Sequence, residues 1–270
     1  MLGGNYMSYE LHNFINENRI VKQQKGPFSI IEHQFDKSVN SYNAQTEYFM
    51  SKMNVRRRQL LAELDGRNEI ITQAGAMQWV TGNIEISSGI KSAGDFLGKM
   101  IKGAVTNESA SKPHYRGKGT LMLEPTYKHL LLIDVSEFRG GITLEDGMFL
   151  ACEATVEQKV VARTNLSSAL LGGEGLFNLA LSGHGIAALE SYVPEEELIE
   201  IELVNDTLKI DGNLAVCWSS SLEFTVEKST KSLIGSAVSG EGFVNVYRGT
   251  GKVLMCPVAS TNLLQAALSK

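Results

Sequence analysis

The chain has 270 residues, 43% of them apolar and 20% charged, with a formal net charge of -5. That is enough apolar material for a real core and an ordinary load of charge, while the acidic balance excludes the basic footprint of a nucleic-acid-binding domain. No run of 18 apolar residues offers a membrane-spanning helix.

Twenty-six glycines against five prolines suit many tight turns between short strands. The three cysteines, Cys152, Cys217 and Cys256, form no CxxC pair. An odd, scattered set argues against a disulfide framework and fits a reducing compartment, so a cytoplasmic location is expected. Met1 to Glu10 has no basic region followed by an apolar run, and no secretory signal is expected there.

In chain order, residues 1–55 are weakly patterned. Phe28 to Ile31 reads as a strand, and the segment is expected to be an N-terminal extension or edge hairpin ahead of a body spanning 56–270. Arg56, Arg57 and Arg58 form the only basic run. They are candidates for meeting phosphate or an acidic partner, against the plainer expectation of a solvated strand entry. Glu69 to Trp79 and Val80 to Ile86 have a turn-then-alternation shape. Ser88 to Thr106 reads as a helix through Ile90, Ala93, Leu97, Ile101 and Ala104. It is expected to pack across the sheets or, alternatively, to lie on a membrane surface. A second short helix is expected over Thr261 to Leu268.

An internal repeat organises the rest. Three Gly-x-Gly triplets each open an apolar strand: Gly117-Lys118-Gly119, Gly173-Glu174-Gly175 and Gly240-Glu241-Gly242. Each strand meets a short turn, at Pro125 to Lys128, Ser182 to Gly185 and Gly249 to Gly251, and then a second β-rich run. Strand, turn, strand reads as a hairpin. A further unit recurs as Ile142 to Val156 and Leu208 to Val226: a strand, an Asp-Gly turn, a strand and a polar alternating strand. The third copy lacks this partner, and Glu69 to Ile86 is expected to supply it, closing a ring that hides sheet edges. Leu130 to Ile133 is continuously apolar and should be buried on both faces. Leu222, Phe224 and Val226 alternate with Glu223 and Thr225, which predicts one wet face.

The reactive side chains do not assemble into a catalytic pattern. No Gly-x-Gly triplet continues to a third glycine or opens a helix, and no GxxxxGK[ST] is present. Backbone geometry at a bulge or tight strand entry explains the triplets better than phosphate binding. The five histidines lack metal-ligand spacing. His184, in a glycine-flanked turn, is the most exposed candidate for an interaction. Cys152 and Cys217 occupy matching repeat positions and read as small core residues. Glu195-Glu196-Glu197 reads as a solvated loop.

The order of motifs resembles the mitochondrial biogenesis, or altered-inheritance-of-mitochondria, family. The matching stretches are Ala74 to Trp79 with Thr81-Gly82, Leu97 to Met100 leading to Asn107-Glu108-Ser109, Gly117 to Gly119, Gly147 to Ala151, Gly172 to Gly175, and Gly240 to Gly242 with Gly249 to Gly251. The resemblance implies a fold related to the tryptophan RNA-binding attenuation protein, without catalytic residues to carry over.

The expectation is therefore an all-β body, a β-sandwich or double-stranded β-helix of three degenerate strand repeats, with one or two short helices. The expected role is a non-catalytic scaffold or protein-interaction module, homo-oligomeric, with a protein partner and no cofactor or metal. The alternatives are an RNA- or small-ligand-binding protein and a peripheral membrane organiser; nucleic acid is not the expected partner.

Overall fold

The computed structural model describes residues 9–88, 112–162, 177–228 and 243–258. In chain order its elements are β1 (Arg19–Lys25), β2 (Phe28–His33), α1 (Ala44–Lys52), β3 (Arg58–Thr72), β4 (Met77–Ser87), β5 (His114–Leu123) and β6 (His129–Asp134). There follow β7 (Ile142–Leu144), β8 (Phe149–Glu153), β9 (Val156–Ala162), β10 (Phe177–Gly183), β11 (Ile186–Ser191), β12 (Ile199–Asp211), β13 (Ala215–Ser219), β14 (Glu223–Lys228) and β15 (Phe243–Met255). The protein is all-β, as expected.

The strands form two antiparallel sheets. One has eight strands, in the order β1-β2-β3-β8-β11-β6, with β5 on the other side of β3 and β4 beyond β5. The other has seven, in the order β12-β15-β13-β7-β10-β9, with β14 also on β15. Both sheets contribute to a shared core that includes Ile71, Leu131, Phe149, Cys152 and Leu189 from the first and Leu144, Leu179, Val216, Cys217 and Leu254 from the second. Each sheet also encloses a core of its own. Phe28, Leu60, Leu121, Leu130 and Ala188 pack within the eight-stranded sheet. In the seven-stranded sheet Trp218, Phe224 and Tyr247 cluster in tilted and edge-to-face contact, with ring centroids 5.1–5.2 Å apart.

Strands between two cores must be apolar on both faces. This accounts for Leu130 to Ile133: Leu130 and Leu132 enter the eight-stranded sheet's core, whereas Leu131 and Ile133 enter the shared one. β11 does the same with Ile186 and Ala188 against Ala187 and Leu189. The predicted alternation after Leu222 holds at its start, with Leu222 buried, Glu223 exposed and Phe224 packed on the aromatic cluster, but Thr225 and Val226 are half-buried alike.

The predicted hairpins at the glycine turns are not formed. β5 and β6 are not ladder partners, and β10 and β11 lie in different sheets. Gly183 and Gly185, at φ +95° and +140°, turn the chain from one sheet to the other. β15 runs unbroken through Gly249-Thr250-Gly251, because β12 pairs along its whole length, from Ile199 with Met255 to Asp211 with Val244. Besides β1 with β2, the consecutive strands β4 and β5, β9 and β10, and β14 and β15 pair antiparallel. The connections of the last three lie wholly or mostly outside the described residues.

The expected closure also fails. β3 and β4 pair with β5 in the eight-stranded sheet rather than with β15 in the other, so among the described strands no ladder joins the two ends of the body. Glu69 to Ile86 belongs with the strand of the first triplet, since Ile86 faces Tyr115 and Thr81 faces Thr120. The predicted helices at 88–106 and 261–268 lie outside the described residues, apart from Ser88 itself. α1 was not legible because its apolar residues make no clear stripe. β1 and β2 form a hairpin on the edge of β3.

The first Gly-x-Gly triplet has a steric cause. Gly119 lies in β5 opposite Gly82 of β4. A Cβ at Gly119 would collide with the Thr81 carbonyl and come within 3.0 Å of Ile84 Cδ1. A Cβ at Gly75, by contrast, would meet open space, with only its φ of +76° against it. Gly119→Ala is therefore expected to cost roughly 2–3 kcal/mol and Gly75→Ala only about 1 kcal/mol. Urea midpoints measure both, and equal losses would contradict the close strand approach.

Candidate functional site

The arginine run enters β3, where Arg58 is the register partner of Glu32 on β2. Directly opposed residues share a face, so the two side chains meet. Arg58 Nε donates to Glu32 Oε2 at 2.9 Å, and Arg56 Nη1 donates to Glu32 Oε1 at 2.9 Å. Arg58 Nη2 also reaches the Asn54 carbonyl and Oδ1, at 3.0 and 2.7 Å. The Arg58 and Glu32 side chains are only 1% and 5% exposed. Burial alone would raise the Glu32 carboxyl. The hydrogen bond from Arg56 and the charges of Arg58, Lys22 and Arg56 outweigh it and hold the group below its ordinary range.

Arg57 points elsewhere. Its Nη2 lies 2.6 Å from Asp36 Oδ2, its Nε donates to the Tyr127 hydroxyl at 3.0 Å, and its guanidinium sits 5.6 Å from the Tyr127 ring centroid. The expectation of a solvated basic run is thus corrected. Two carboxylates from more than twenty residues upstream, Glu32 and Asp36, pair with all three arginines and offset most of their charge, and Arg58 is interior. His184 is exposed in the β10–β11 corner, where it faces Asp134 at the far end of β6. Arg58 feels His129 at the near end. A six-residue strand rises roughly 16 Å end to end, so the sequence-selected residues do not form one site.

His129 was not singled out by sequence. With Lys22, Gln23, Ile30, Arg58, Leu130, Pro194, Glu195 and Glu196 it lines a cavity of about 30 Å³, room for a water molecule or two. Burial first, then the Arg58 and Lys22 charges, push its imidazole down to about 4 from 6.5. Its Nδ1 is buried without a protein partner. No local signal betrays this, since the arginine and lysine that surround it come from β3 and β1.

A second opening is a cleft of about 350 Å³. Its walls are the turn Gln73 to Ala76, the strip Glu124 to Thr126, and Gly147, Phe149, Leu150 and Glu190. Glu190 is held by Lys128 Nζ at 2.6 Å, and Lys112 Nζ stands 4.4 Å from the Phe149 ring centroid. The lining is peptide backbone, apolar side chains, two carboxylates, the Gln73 amide and the Thr126 hydroxyl. It offers surface to a small ligand but no nucleophile paired with a base.

Among the described residues, several other groups with reactive potential are occupied. Cys152 and Cys217 are fully buried in the shared core, where burial pushes both thiols up to about 12. A thiol so placed is inert at neutral pH. His114 Nδ1 pairs with Glu69 at 2.6 Å and His33 Nε2 with Gln59 at 3.1 Å. Among the described residues no three His, Cys, Asp or Glu side chains are placed to hold a metal, and no helix is long and apolar enough to cross a membrane.

These features define an all-β protein of two interlocked antiparallel sheets whose charged residues near the N-terminal hairpin are internally compensated. The chain belongs to the mitochondrial biogenesis AIM24 family, whose model matches residues 52–258. An uncharacterised protein of Streptococcus pyogenes serotype M6 is 29% identical over 213 residues, which cover 76% of this chain and 82% of the relative. The crystal structure of a Streptococcus pyogenes protein superposes with a TM-score of 0.58 at 24% identity, covering 80% of this chain and 94% of that one. That likeness is one of fold.

Two outcomes test the charge assignments. Glu32→Gln strands two arginines in a partly buried setting and is expected to cost about 3 kcal/mol, whereas Arg57→Ala, at a more exposed pair, should cost under about 1 kcal/mol. The depressed His129 contributes stability that is complete above pH 6.5 and is lost as pH falls towards about 4, because the unfolded chain takes up the proton first. Glu32, also depressed, adds a loss in the same direction below its ordinary value of 4.5. Urea denaturation as a function of pH should show stability falling below pH 6.5. His129→Gln should flatten the upper part of that fall by roughly 2 kcal/mol.

Proposed function

We propose that this protein is a non-catalytic scaffold, an interaction module working in a reducing, cytoplasmic setting. One observation carries this reading: among the described residues, the arginine run, His129 and the core thiols are already committed to structure. The arginines are paired to Glu32 and Asp36, His129 is held neutral, and the thiols of Cys152 and Cys217 are buried. What remains available to a partner is backbone edge and surface. The three-unit organisation, and with it kinship to the attenuation protein, is part of the same proposal. Its support is that β4, β8 and β13 each begin with a one-residue bulge, at Gln78, Leu150 and Val216, against β5, β11 and β15.

A second reading rests on the cleft between the Gly75 and Gly147 turns, whose size suits a small ligand. RNA has less support, since no free basic stripe tracks either sheet among the described residues. A membrane-peripheral role would rest on the 88–106 segment, and liposome flotation addresses it.

Native mass spectrometry of protein purified from its own host tests the scaffold reading. The expected result is protein alone, with no stoichiometric small molecule or nucleic acid. A retained species would favour the cleft. Reproducible turnover of any substrate, abolished by one point substitution, would overturn the non-catalytic assignment.

A further inference from the structure

Two joints inside this chain are built alike. In the first, the end of β3 pairs with the start of β8, Thr72 facing Ala151 and Ile71 facing Cys152. The next amide, Gln73 N–H, donates to the carbonyl of the bulge residue Leu150 at 2.8 Å. In the second, the end of β7 pairs with β13, Leu144 facing Cys217 and Thr143 facing Trp218. The next amide, Glu145 N–H, donates to the bulge carbonyl of Val216 at 3.0 Å. In both, a strand end meets a bulged strand start, and a turn with one left-handed glycine, Gly75 or Gly147, follows the strand end.

Both halves of a third such joint are present and unused. β12 ends at Asp211, is followed by left-handed Gly212, and pairs only with β15. β4 begins with the bulge at Gln78 and pairs only with β5. Neither edge has a ladder partner among the described residues. A long strand with a bare edge is a template for another strand, and β12 also exposes Ile199 and Val204, at 43% and 76%.

We propose that the third joint is made between copies: the β12 edge of one molecule pairs with the β4 start of the next. The internal joints give its register. Ile210 stands where Leu144 and Thr72 stand, one residue before the donating amide, and so faces Trp79. Lys209 then faces Val80, and the Asp211 amide donates to the Gln78 carbonyl. Because the two halves differ, the contact is head-to-tail, and each copy keeps one half free for the next. Such contacts close into rings or continue as filaments. The occupant is a second copy because the complementary half, bulge included, is on this same chain. The inference rests on the scaffold reading and names its partner.

The test is oxidative cross-linking of the full chain carrying Val80→Cys and Lys209→Cys together, with each single variant as control. Directly opposed positions suit a disulfide, and the native thiols of Cys152, Cys217 and Cys256 are buried. The double variant should form disulfide-linked multimers that neither single variant forms. A disulfide within one molecule would overturn the proposal by closing the joint inside the chain. No cross-link, or dimers from a single variant, would overturn it as well. Native mass spectrometry of the unaltered chain guards against a folding defect: multimers are expected, and monomer alone at tens of micromolar would overturn the proposal. A turnover assay failing the scaffold reading would leave these results separately readable.

Discussion

The structure depends on a demand of the peptide backbone: every buried N–H and C=O needs a partner. β6, β8 and β11 lie between cores, apolar on both faces, so their peptide groups have only neighbouring strands to turn to. Continuing one sheet across a joint satisfies that demand, and the bulges at Leu150 and Val216 adjust the register where the sheet passes from one group of strands to the next. The carbonyl displaced by each bulge is taken up by the amide of Gln73 or Glu145. The shared core, with Cys152 and Cys217 at its centre, is assembled around these two joints.

Charge is handled by the same economy. β2 brings Glu32 opposite Arg58 through strand register, and the arginine then sits beside a histidine that it helps to keep neutral. Breaking a buried pair is costly because the remaining charge has no water to turn to. The arginine run is therefore a fastener between the N-terminal hairpin and the body. On the proposed scaffold reading, function lies in surface and edge rather than in side-chain chemistry.

The sequence made the class and much of the core legible. Leu130 to Ile133 announced burial on both faces. Cys152 and Cys217 are core residues as expected but not at matching positions, since Cys217 pairs with Leu144 as Ala151 pairs with Thr72. Gly117 to Gly119 announced a bulge or tight strand entry rather than a phosphate loop, whereas the triplet lies inside β5, in close approach to β4. What it hid was pairing between distant segments. A glycine-rich break between two apolar runs is locally the same whether the chain folds back, turns a corner at Gly183 to Gly185, or runs straight on through Gly249 to Gly251. Only the partner strand decides, and β12 decided it for β15. The role of the arginines was hidden for the same reason, since Glu32 and Asp36 lie more than twenty residues before Arg58. His129 was passed over because its environment comes from strands far away in sequence.

The most direct measurement is hydrogen–deuterium exchange of peptides covering residues 206–211 and 78–81, followed as protein concentration is raised. Edge amides without partners exchange quickly, and paired ones do not. The account predicts that both peptides gain protection together as concentration rises, while the ladder amides of β11 stay protected throughout. Fast exchange at both edges at every concentration would contradict it.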